Sequence, residues 1–509
     1  MSVKVLVTSR TALQEKYGKA GLQKVVAAVR LLIAADKKRG FDTSLIFVDD
    51  AAMMKRHGGK AVTDPKSGQQ HKEAIDAIYR SLEPEYLVIL DAPDVIPHVS
   101  LQNPAPEDDD PDVPSDLPYA CDAPFSRDVR AYRSVTRVVG RIPGVNHADR
   151  PTLLVHLLKA SAAFKPRPRK DYLAYFALSA LTWEKATRKN VDVIFGKDGT
   201  VRTSPPTVNA AANRFLSPLM HLINCHGDTL SPNFYGERNG NTDFIALTTE
   251  GVARHAMAKT VIAAECCYGA ELYDPKLVED EKPPIAVSYF QRGAVGFFGS
   301  TNTAYGEEAT LSAADFITQY FLVNVLDGAS LGRACLEARQ KFIDEQYLDI
   351  YNLKTIGQFI LLGDPSLHPC REDDPDASKR KSLADSSTAR RIRRVDLAAL
   401  GESKGESAAF GGRKHRNPGG KLAKRAKSIA RQLGVRPANV ETFEVSGGPL
   451  YRSSMKAQAP SQRMVVVSQK SRPIVRIVAG KKRTRREVKA TVVQTHGAGV
   501  AHVAHYRSR

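Results

Sequence analysis

Strand-like and helix-like segments alternate along the first hundred residues, and this alternation constrains the fold more than any other feature of the sequence. Apolar runs typical of buried strands lie at 3–9, 43–50 and 85–93, and apolar positions recur at helical spacing over 21–38 and 71–82. Strands that alternate with helices form a parallel sheet whose two faces are covered by those helices. The sequence therefore predicts an α/β fold built on a mostly parallel sheet.

The alternation is interrupted by a segment rich in Pro and Asp. We predict that this segment, residues 101–128, is a long surface loop. The alternation on either side of it indicates an N-terminal α/β subdomain over 1–150 and a second subdomain over 151–372. In the second subdomain, strands and a helical region are predicted at 219–227, 259–269, 294–301 and 311–345.

The composition of the chain changes after Cys370. Residues 373–420 are charged, rich in Ser and Gly and poor in large apolar side chains, which predicts a flexible linker. Residues 421–509 contain a helical pattern at 421–433 and three short strand-like runs, which predicts a small basic α+β module. From Lys379 onward the chain has 31 Lys and Arg against seven Asp and Glu, whereas the preceding residues have 43 against 48.

Two of the predicted strands end in residues that suit nucleophilic catalysis. One ends in His226 and Gly227, and the other ends in the adjacent pair Cys266 and Cys267. Reactive groups collect beyond the carboxyl ends of strands in open parallel sheets. A thiol needs a base to become an attacking thiolate, and an imidazole is the usual base. The backbone amides of Gly227 and Cys267 would form an oxyanion hole; the alternative is that both fragments are structural.

A strand that ends in His-Gly, followed by a strand that ends in Cys, resembles the caspase–gingipain–legumain group of cysteine peptidases. Further blocks resemble the gingipain family in particular, in the same order over about residues 85 to 370. The resemblance implies a caspase-like fold, a catalytic role for subdomain 151–372, and an endopeptidase with a His226–Cys267 dyad and no required cofactor. The blocks are YLVILDAPDVIPH, SDLPYACDAPFSRDVRAYRSVTRVVGRIPG, GAVGFFGSTNTAYG and FILLGDPSLHP.

The same resemblance distinguishes the two cysteines. In this group the nucleophile commonly follows a polar residue and a small one, which favours Cys267, and the spacing to Gly269 leaves Cys266 as the alternative nucleophile. The polar residue, here Glu265, would then line the pocket for the substrate residue before the scissile bond. A buried carboxylate needs a cationic partner, so we predict cleavage after Arg or Lys. The alternative is that Glu265 pairs with an Arg or Lys of the protein itself.

The acidic run at 107–116 raises the question of a metal. Its carboxylates could gather around a structural calcium ion, but a solvated acidic loop is the favoured interpretation. Asp116 and Asp122 are the named candidates for such a site, and a structural role is preferred for both.

The basic character of the last quarter of the chain predicts an acidic partner. Residues 379–509 could bind nucleic acid through phosphate contacts, with 481–489 as a contact region, or present a solvated basic face. The linker segment 378–396 is rich in Arg and Lys, and it is a candidate self-cleavage site for the predicted peptidase.

The cysteine content and the N-terminal residues bear on the compartment. Six cysteines are too few for a disulfide framework, and we find neither a signal-peptide pattern nor an apolar run long enough to cross a membrane. We therefore expect a cytoplasmic cysteine endopeptidase, without a membrane partner, that acts on proteins or peptides containing Arg or Lys. Two alternatives stay open: a catalytically inactive caspase-like scaffold, and a nucleic-acid-associated protein with an accessory peptidase domain.

Overall fold

The fold is described from a computed structural model. The described residues are 1–105, 107–196, 199–208, 214–371, 415–416, 421–433, 435–436, 439–445, 462–471, 474–478, 481–496 and 499–509. Except for residues 415–416, the predicted linker lies outside the described residues from residue 373 onward, and so does the candidate self-cleavage segment 378–396.

The strands are short and distributed along the whole described chain. In chain order they are β1 (Ser2–Thr8), β2 (Phe41–Phe47), β3 (Tyr86–Leu90), β4 (Val99–Gln102), β5 (Asp112–Ser115), β6 (Val139–Ile142), β7 (Arg167–Pro168), β8 (Tyr175–Ala180), β9 (Arg202–Ser204), β10 (Met220–Asn224), β11 (Asn233–Arg238), β12 (Asn241–Thr248), β13 (Val261–Ala264), β14 (Gly296–Ser300), β15 (Tyr305–Gly306), β16 (Phe359–Gly363), β17 (Cys370–Arg371), β18 (His415–Arg416), β19 (Asn439–Val445), β20 (Gln462–Lys470), β21 (Ile474–Val478), β22 (Lys481–Arg485), β23 (Val488–His496) and β24 (Gly499–Ser508).

The α-helices lie between these strands. In chain order they are α1 (Arg10–Lys38), α2 (Ala51–Arg56), α3 (Gly68–Leu82), α4 (Thr152–Ala163), α5 (Lys170–Leu173), α6 (Glu184–Phe195), α7 (Thr249–His255), α8 (Ile285–Gln291), α9 (Ala314–Leu326), α10 (Leu331–Glu345), α11 (Ile350–Gln358) and α12 (Lys421–Gln432).

Ten strands form one sheet in the order β2-β1-β3-β6-β16-β14-β13-β10-β8-β9. Its neighbouring strands pair in parallel, except at β14 and β16, which pair in antiparallel register from Gly296–Gly363 to Ser300–Phe359. The sheet therefore consists of two parallel halves that run in opposite directions and meet at one antiparallel seam. The predicted α/β class with a mostly parallel sheet flanked by helices is confirmed.

The central strands are covered on both faces. Every residue of β3, β13, β14 and β16 is buried, although successive side chains of a strand point to opposite faces. Continuous apolar strands of this kind are typical of parallel sheets packed between helices. This explains why the sequence pattern reveals these strands as apolar runs and not as alternating positions.

The first helix is longer than the sequence pattern indicates. We predict it from Gly21, whereas α1 begins at Arg10, where the Ser9 side chain accepts a hydrogen bond from the Ala12 amide. Gly18, at φ 67°, interrupts the helical geometry inside α1. The early turn adds only Ala12, Leu13 and Tyr17 to the core, and this sparse pattern hides it from a periodicity search.

The structure contradicts the surface loop predicted at 101–128. Strands β4 and β5 pair as a hairpin in this segment, and Asp108, Asp116 and Tyr119 are buried. The Lys354 ammonium contacts Asp108 and lies 2.7 Å from an Asp110 carboxylate oxygen. The acidic run therefore folds inward onto a cation from α11, and the solvated-loop interpretation is wrong for these two carboxylates.

The described residues from 421 onward form the C-terminal module, which packs on the described residues of 1–371, here called the body. Its sheet has the order β15-β24-β23-β20-β19-β18, so β15 of the body supplies one edge strand. One face, with Val465 and Val467, packs against α12, and the other, with Met464 and Val466, joins Tyr351 of the body.

A membrane-spanning helix would have to be long and continuously apolar. No helix among the described residues meets both requirements.

A buried ion cluster joins β1, at the beginning of the chain, to the residues that follow β16, the last strand of the ten-stranded sheet in chain order. The Lys4 ammonium in β1 lies 3.0 Å from Asp36 and 2.8 Å from Asp364, and all three side chains are fully buried. It also donates a hydrogen bond to Ser366 at 2.8 Å. A buried carboxylate without a cation is costly. Lys4 therefore stabilises two acids that are distant from it in sequence, Asp36 by 32 residues and Asp364 by 360 residues.

Replacing Lys4 with Met should leave Asp364 buried without this cation and Asp36 with only Arg39, whose guanidinium lies 3.2 Å away. We expect the free energy of unfolding to fall by about 3–5 kcal/mol, which is typical for removal of one partner of a buried ion pair. Chemical denaturation measures this loss. Lys19→Met, at an exposed position of α1, should change the free energy by no more than about 0.5 kcal/mol. A loss below about 1 kcal/mol for Lys4→Met would contradict the structural role of the cluster.

Candidate active site

The two strands that carry the candidate catalytic residues are neighbours in the sheet. β10 and β13 pair in parallel up to Ile223 and Ala264, and the Glu265 amide donates to the Ile223 carbonyl at 2.8 Å. The carboxyl ends of parallel strands meet at one edge of a sheet. His226 and Cys267 therefore emerge from this same edge, as the sequence predicts.

Gly227 packs directly against the backbone of the second strand end. A Cβ atom at position 227 would overlap the Cys267 carbonyl oxygen and would also approach the Cys266 side chain. The position therefore requires glycine for close approach of the two segments. The oxyanion hole of the Gly227 and Cys267 amides stays a prediction.

His226 is held by a buried carboxylate from the hairpin that follows it. Its Nε2 lies 2.8 Å from an oxygen of Glu237 in β11, and its backbone exchanges two 2.8 Å hydrogen bonds with Tyr235. Burial would raise the pKa of Glu237, but the hydrogen bond from His226 and the charge of Arg507 lower it to about 2. An ionised carboxylate at Nε2 fixes the ring and leaves Nδ1 as the basic nitrogen of the neutral imidazole.

Trp183 forms one wall of the site. Its ring centroid lies 4.4 Å from that of His226, and it is fully buried. The guanidinium carbons of Arg507 and Arg509 lie 5.7 and 5.4 Å from the same indole. The indole therefore packs on the imidazole and has both guanidinium groups near its ring.

The two adjacent cysteines have different surroundings. Cys266 Sγ lies 3.6 Å from the Ile223 carbonyl between the strands, and burial raises its pKa well above the usual range. Cys267 Sγ accepts a hydrogen bond from the Ala304 amide at 3.2 Å and lies 3.6 Å from the Ala304 carbonyl. Cys266 therefore faces the interior of the sheet, whereas Cys267 faces the segment beyond β14.

Glu265 lines a closed acidic pocket, and an arginine of the chain fills it. The Arg509 guanidinium contacts Glu265, donates to Asn224 at 2.7 Å, and donates to both oxygens of Asp315 at 2.8 and 2.7 Å. Arg509, Glu265 and Asp315 are fully buried. The structure thus contains the pairing of Glu265 with an arginine of the protein itself, in a pocket that also fits the predicted role in substrate binding.

The two carboxylates of this pocket bind the guanidinium differently: Glu265 contacts it through one oxygen and Asp315 through both. Burial and the neighbouring Asp315 raise the pKa of Glu265 to about 8. Its other oxygen accepts hydrogen bonds from Asn190 at 2.8 Å and from Thr318 at 2.9 Å, which hold the side chain in place. Near neutral pH Glu265 is therefore largely protonated, and Asp315 is the principal counterion of the guanidinium.

The secondary candidates are engaged in ion pairs. Asp116 pairs with Arg141 at 2.6 Å and with His98 at 2.8 Å, and Asp122 pairs with Arg137 at 2.6 Å. The charges of Arg141 and His98 outweigh burial and lower the pKa of Asp116. Within the described ranges, no cluster of three or more His, Cys, Asp and Glu side chains has a geometry suited to a metal ion.

Four residues of the site are absent from the sequence analysis or carry no role there: Trp183, Glu237, Asp315 and Arg509. Glu237 and Asp315 are acids within otherwise apolar or mixed segments, at β11 and at the start of α9. An acid within such a segment can indicate a functional site, but the sequence does not indicate which strand end the acid faces. Arg509 gives no signal because its partners lie about 200 to 285 residues away.

Comparisons with known proteins give one family match and several similar solved structures. Residues 227–370 match the model of peptidase family C25. Two solved structures are similar along nearly the whole chain: one described as a protease (12% identity, TM-score 0.46, 99% of this chain and 96% of that chain) and the Arg-specific cysteine proteinase gingipain R (11%, 0.48, 99% and 97%). The separase–securin complex of Saccharomyces cerevisiae matches over 46% of this chain and 14% of that chain, at 10% identity and a TM-score of 0.29. None of the curated proteins matches the sequence.

The family match begins immediately after His226 and includes Gly227, Glu265 and Cys267. It confirms the resemblance that the sequence blocks indicate. Residues 227–370 are therefore similar to peptidase family C25, and this match supports a gingipain-like cysteine peptidase.

Proposed function

We propose that the chain is an endopeptidase that cleaves after arginine, with Cys267 as nucleophile and His226 as general base. The observation that carries this proposal is the arginine guanidinium seated between two buried carboxylates at the strand edge that also bears Cys267. A substrate arginine in this pocket would have its carbonyl carbon near the Cys267 sulfur, because Glu265 and Cys267 are two residues apart.

The catalytic steps follow from the chemistry of these groups. His226 Nδ1 takes the thiol proton of Cys267, and the thiolate attacks the substrate carbonyl to give a tetrahedral oxyanion. The Gly227 and Cys267 amides stabilise that oxyanion. As the oxyanion collapses, the C–N bond breaks, the imidazolium gives its proton to the leaving amine, and the acyl group remains on Cys267 as a thioester. Water then hydrolyses the thioester with His226 as base. Glu237 positions the ring throughout and stabilises its positive charge.

Cys267 is preferred to Cys266 on physical grounds. Both sulfurs lie 3.6 Å from a carbonyl oxygen, but the Ala304 amide donates to the Cys267 sulfur and stabilises the negative charge that forms there, whereas burial raises the pKa of Cys266 well above its usual range. Thiolate character is what makes a cysteine reactive. A cleft of about 700 Å³ is lined by Tyr268, which follows Cys267, and by Thr303, so a substrate chain has room to continue on that side.

Arginine is preferred to lysine for the same pocket. The planar guanidinium directs one nitrogen to Asn224 and Glu265 and the other to both oxygens of Asp315. A lysine ammonium is a single point charge and cannot occupy both positions. The prediction of Arg or Lys is therefore narrowed to arginine.

Two further parts of the prediction belong to the same proposal. We infer an intracellular location because all six cysteines are buried thiols outside any disulfide. The nucleic-acid alternative is less favoured because Lys470, Lys489 and Arg507 of the C-terminal module pair with Asp109, Glu308 and Glu487. These cations are therefore engaged within the chain.

The nucleophile is tested by a matched pair of variants. Cys267→Ala should reduce hydrolysis of a peptide with arginine before the scissile bond to background, a loss of at least about 10³-fold. Cys266→Ala should stay within about tenfold of the unmodified protein, because that sulfur packs between strands. Steady-state hydrolysis and labelling by an arginine-based electrophile measure both. Activity that survives in Cys267→Ala would contradict the assignment, and no activity in any form would favour the inactive scaffold.

Glu237 is tested as a positioning residue. Glu237→Gln should lower kcat by about 10²-fold or more with little change in KM, because the ring loses the charge that orients it and stabilises the imidazolium. Glu308→Gln is the matched control, since Glu308 also contacts Arg507 and is partly exposed. It should leave kcat within about twofold. Equal effects of the two substitutions on kcat would argue against a role for Glu237 at His226.

The pocket carboxylates are tested by comparing arginine with the neutral isostere citrulline before the scissile bond. The ratio of kcat/KM for the two peptides does not depend on how many molecules have the pocket occupied by their own Arg509, because that fraction affects both peptides equally. Asp315→Asn should reduce this ratio by about 10²-fold or more, as expected for loss of a buried counterion. Glu265→Gln should reduce it only about tenfold, because Glu265 is largely protonated near pH 7. Equal or reversed losses would contradict the assignment of Asp315 as the counterion.

A further inference from the structure

Strand β24 lies on the body as an added strand at the active site. It pairs in antiparallel register with β15, Ser508 opposite Tyr305 and Arg507 opposite Gly306. The Arg509 amide continues the ladder to the Ala304 carbonyl at 3.0 Å, and Ala304 is the residue that contacts Cys267 Sγ. Extended peptides bind proteins in this way by adding a strand to an exposed sheet edge.

Two alternate side chains at the end of β24, Arg507 and Arg509, bind carboxylates of the candidate active site. Arg509 fills the acidic pocket, and Arg507, two residues earlier, donates to Glu237 at 2.6 Å and to Glu308 at 2.7 Å. Glu237 is the carboxylate that holds His226. The strand thus supplies one cation to the specificity pocket and a second to the partner of the imidazole.

The intervening side chains fix the register of β24. Tyr506 donates to Asp349 at 2.6 Å and stacks with Tyr351, with ring centroids 4.7 Å apart. The Ser508 hydroxyl accepts from the Val488 amide at 2.9 Å. A shift by one residue would exchange these two faces of the strand, so the register that delivers Arg509 to the pocket is strongly determined.

Gly306 is required for this arrangement. A Cβ atom at position 306 would overlap the Arg509 guanidinium, so the arginine passes over a glycine to reach Asp315. The opening is therefore shaped to admit a guanidinium along the strand that pairs with β15.

We propose that residues 499–509 are an internal pseudo-substrate that closes the active site, with Arg509 in the specificity pocket and Arg507 on the carboxylate that holds His226. This inference rests on the proposed function, because it takes Cys267 as nucleophile and the acidic pocket as the arginine site. The segment also indicates the substrate class: extended peptides with arginine before the scissile bond and a second basic residue two positions earlier.

Alkylation of the thiols tests the closure without requiring peptidase activity. The full chain and its Arg509→Ala form are treated with iodoacetamide, and modification of each cysteine is followed by mass spectrometry. We expect Cys267 to react at least tenfold faster in Arg509→Ala. Cys266, buried on the other side of the strand end, should remain slow in both forms and so reports on unfolding. Arg431→Ala, at an exposed arginine of α12, should behave like the unmodified chain.

Hydrolysis of an Arg-Ser-Arg peptide by the same three proteins completes the test. A rise in kcat/KM of at least tenfold in Arg509→Ala supports the pseudo-substrate, and the pentapeptide HYRSR should inhibit that variant competitively whereas HYRSA should not. Equal alkylation of Cys267 in Arg509→Ala and the unmodified chain would overturn the inference. Faster alkylation without hydrolysis in any form would support closure and refute the peptidase function. If Cys266 also becomes reactive, the Arg509→Ala protein is partly unfolded, and Arg509→Lys is used in its place. A rate of Cys267 alkylation in Arg509→Lys equal to that of the unmodified chain would then overturn the inference.

Discussion

The arrangement of the active site depends on one constraint: two carboxylates have been removed from water and must share a cation. Glu265 and Asp315 are both fully buried, and an isolated ionised carboxylate is costly in such surroundings. The protein relieves this cost partly by proton uptake at Glu265 and partly by the guanidinium of Arg509. Asn190 and Thr318 hold Glu265 independently of the arginine, so the pocket is shaped before a guanidinium enters.

The sheet seam determines which part of the fold can carry this pocket. Since the two halves run in opposite directions, only the half that contains β10, β13 and β14 directs its carboxyl ends toward His226, Cys267 and Ala304. The other half contributes buried ion clusters such as that of Lys4. The acidic run after β4 connects the two, because Asp110 accepts from the Thr303 amide at 2.9 Å and also contacts Tyr268.

The sequence could reveal features whose cause is local. The apolar runs mark the central strands, and the short polar stretches after β10 and β13 mark His226, Glu265 and Cys267. It could not reveal Glu237 as the partner of His226 or Asp315 as the partner of the pocket arginine, because each assignment depends on the packing of separate elements. The buried acidic run failed as a prediction for the same reason: its cation, Lys354, lies about 246 residues away. The sequence likewise could not reveal the antiparallel seam, because the apolar run of β16 looks the same whether the strand pairs in parallel or in antiparallel register.

Charge favours a route of opening in which a substrate arginine takes the place of Arg509, over one in which β24 simply withdraws. Withdrawal alone would leave Asp315 without its counterion and would also free Glu237 from Arg507, whereas a substrate arginine restores the first pairing as it enters. A cut in the linker segment 378–396 would not by itself release the strand. Tyr506, Met464 and Val466 remain packed on the body through their own contacts, and these contacts do not depend on the covalent connection. Activation therefore requires a competitor for the pocket or a force on the module, and a basic peptide of the substrate class is a competitor of the first kind.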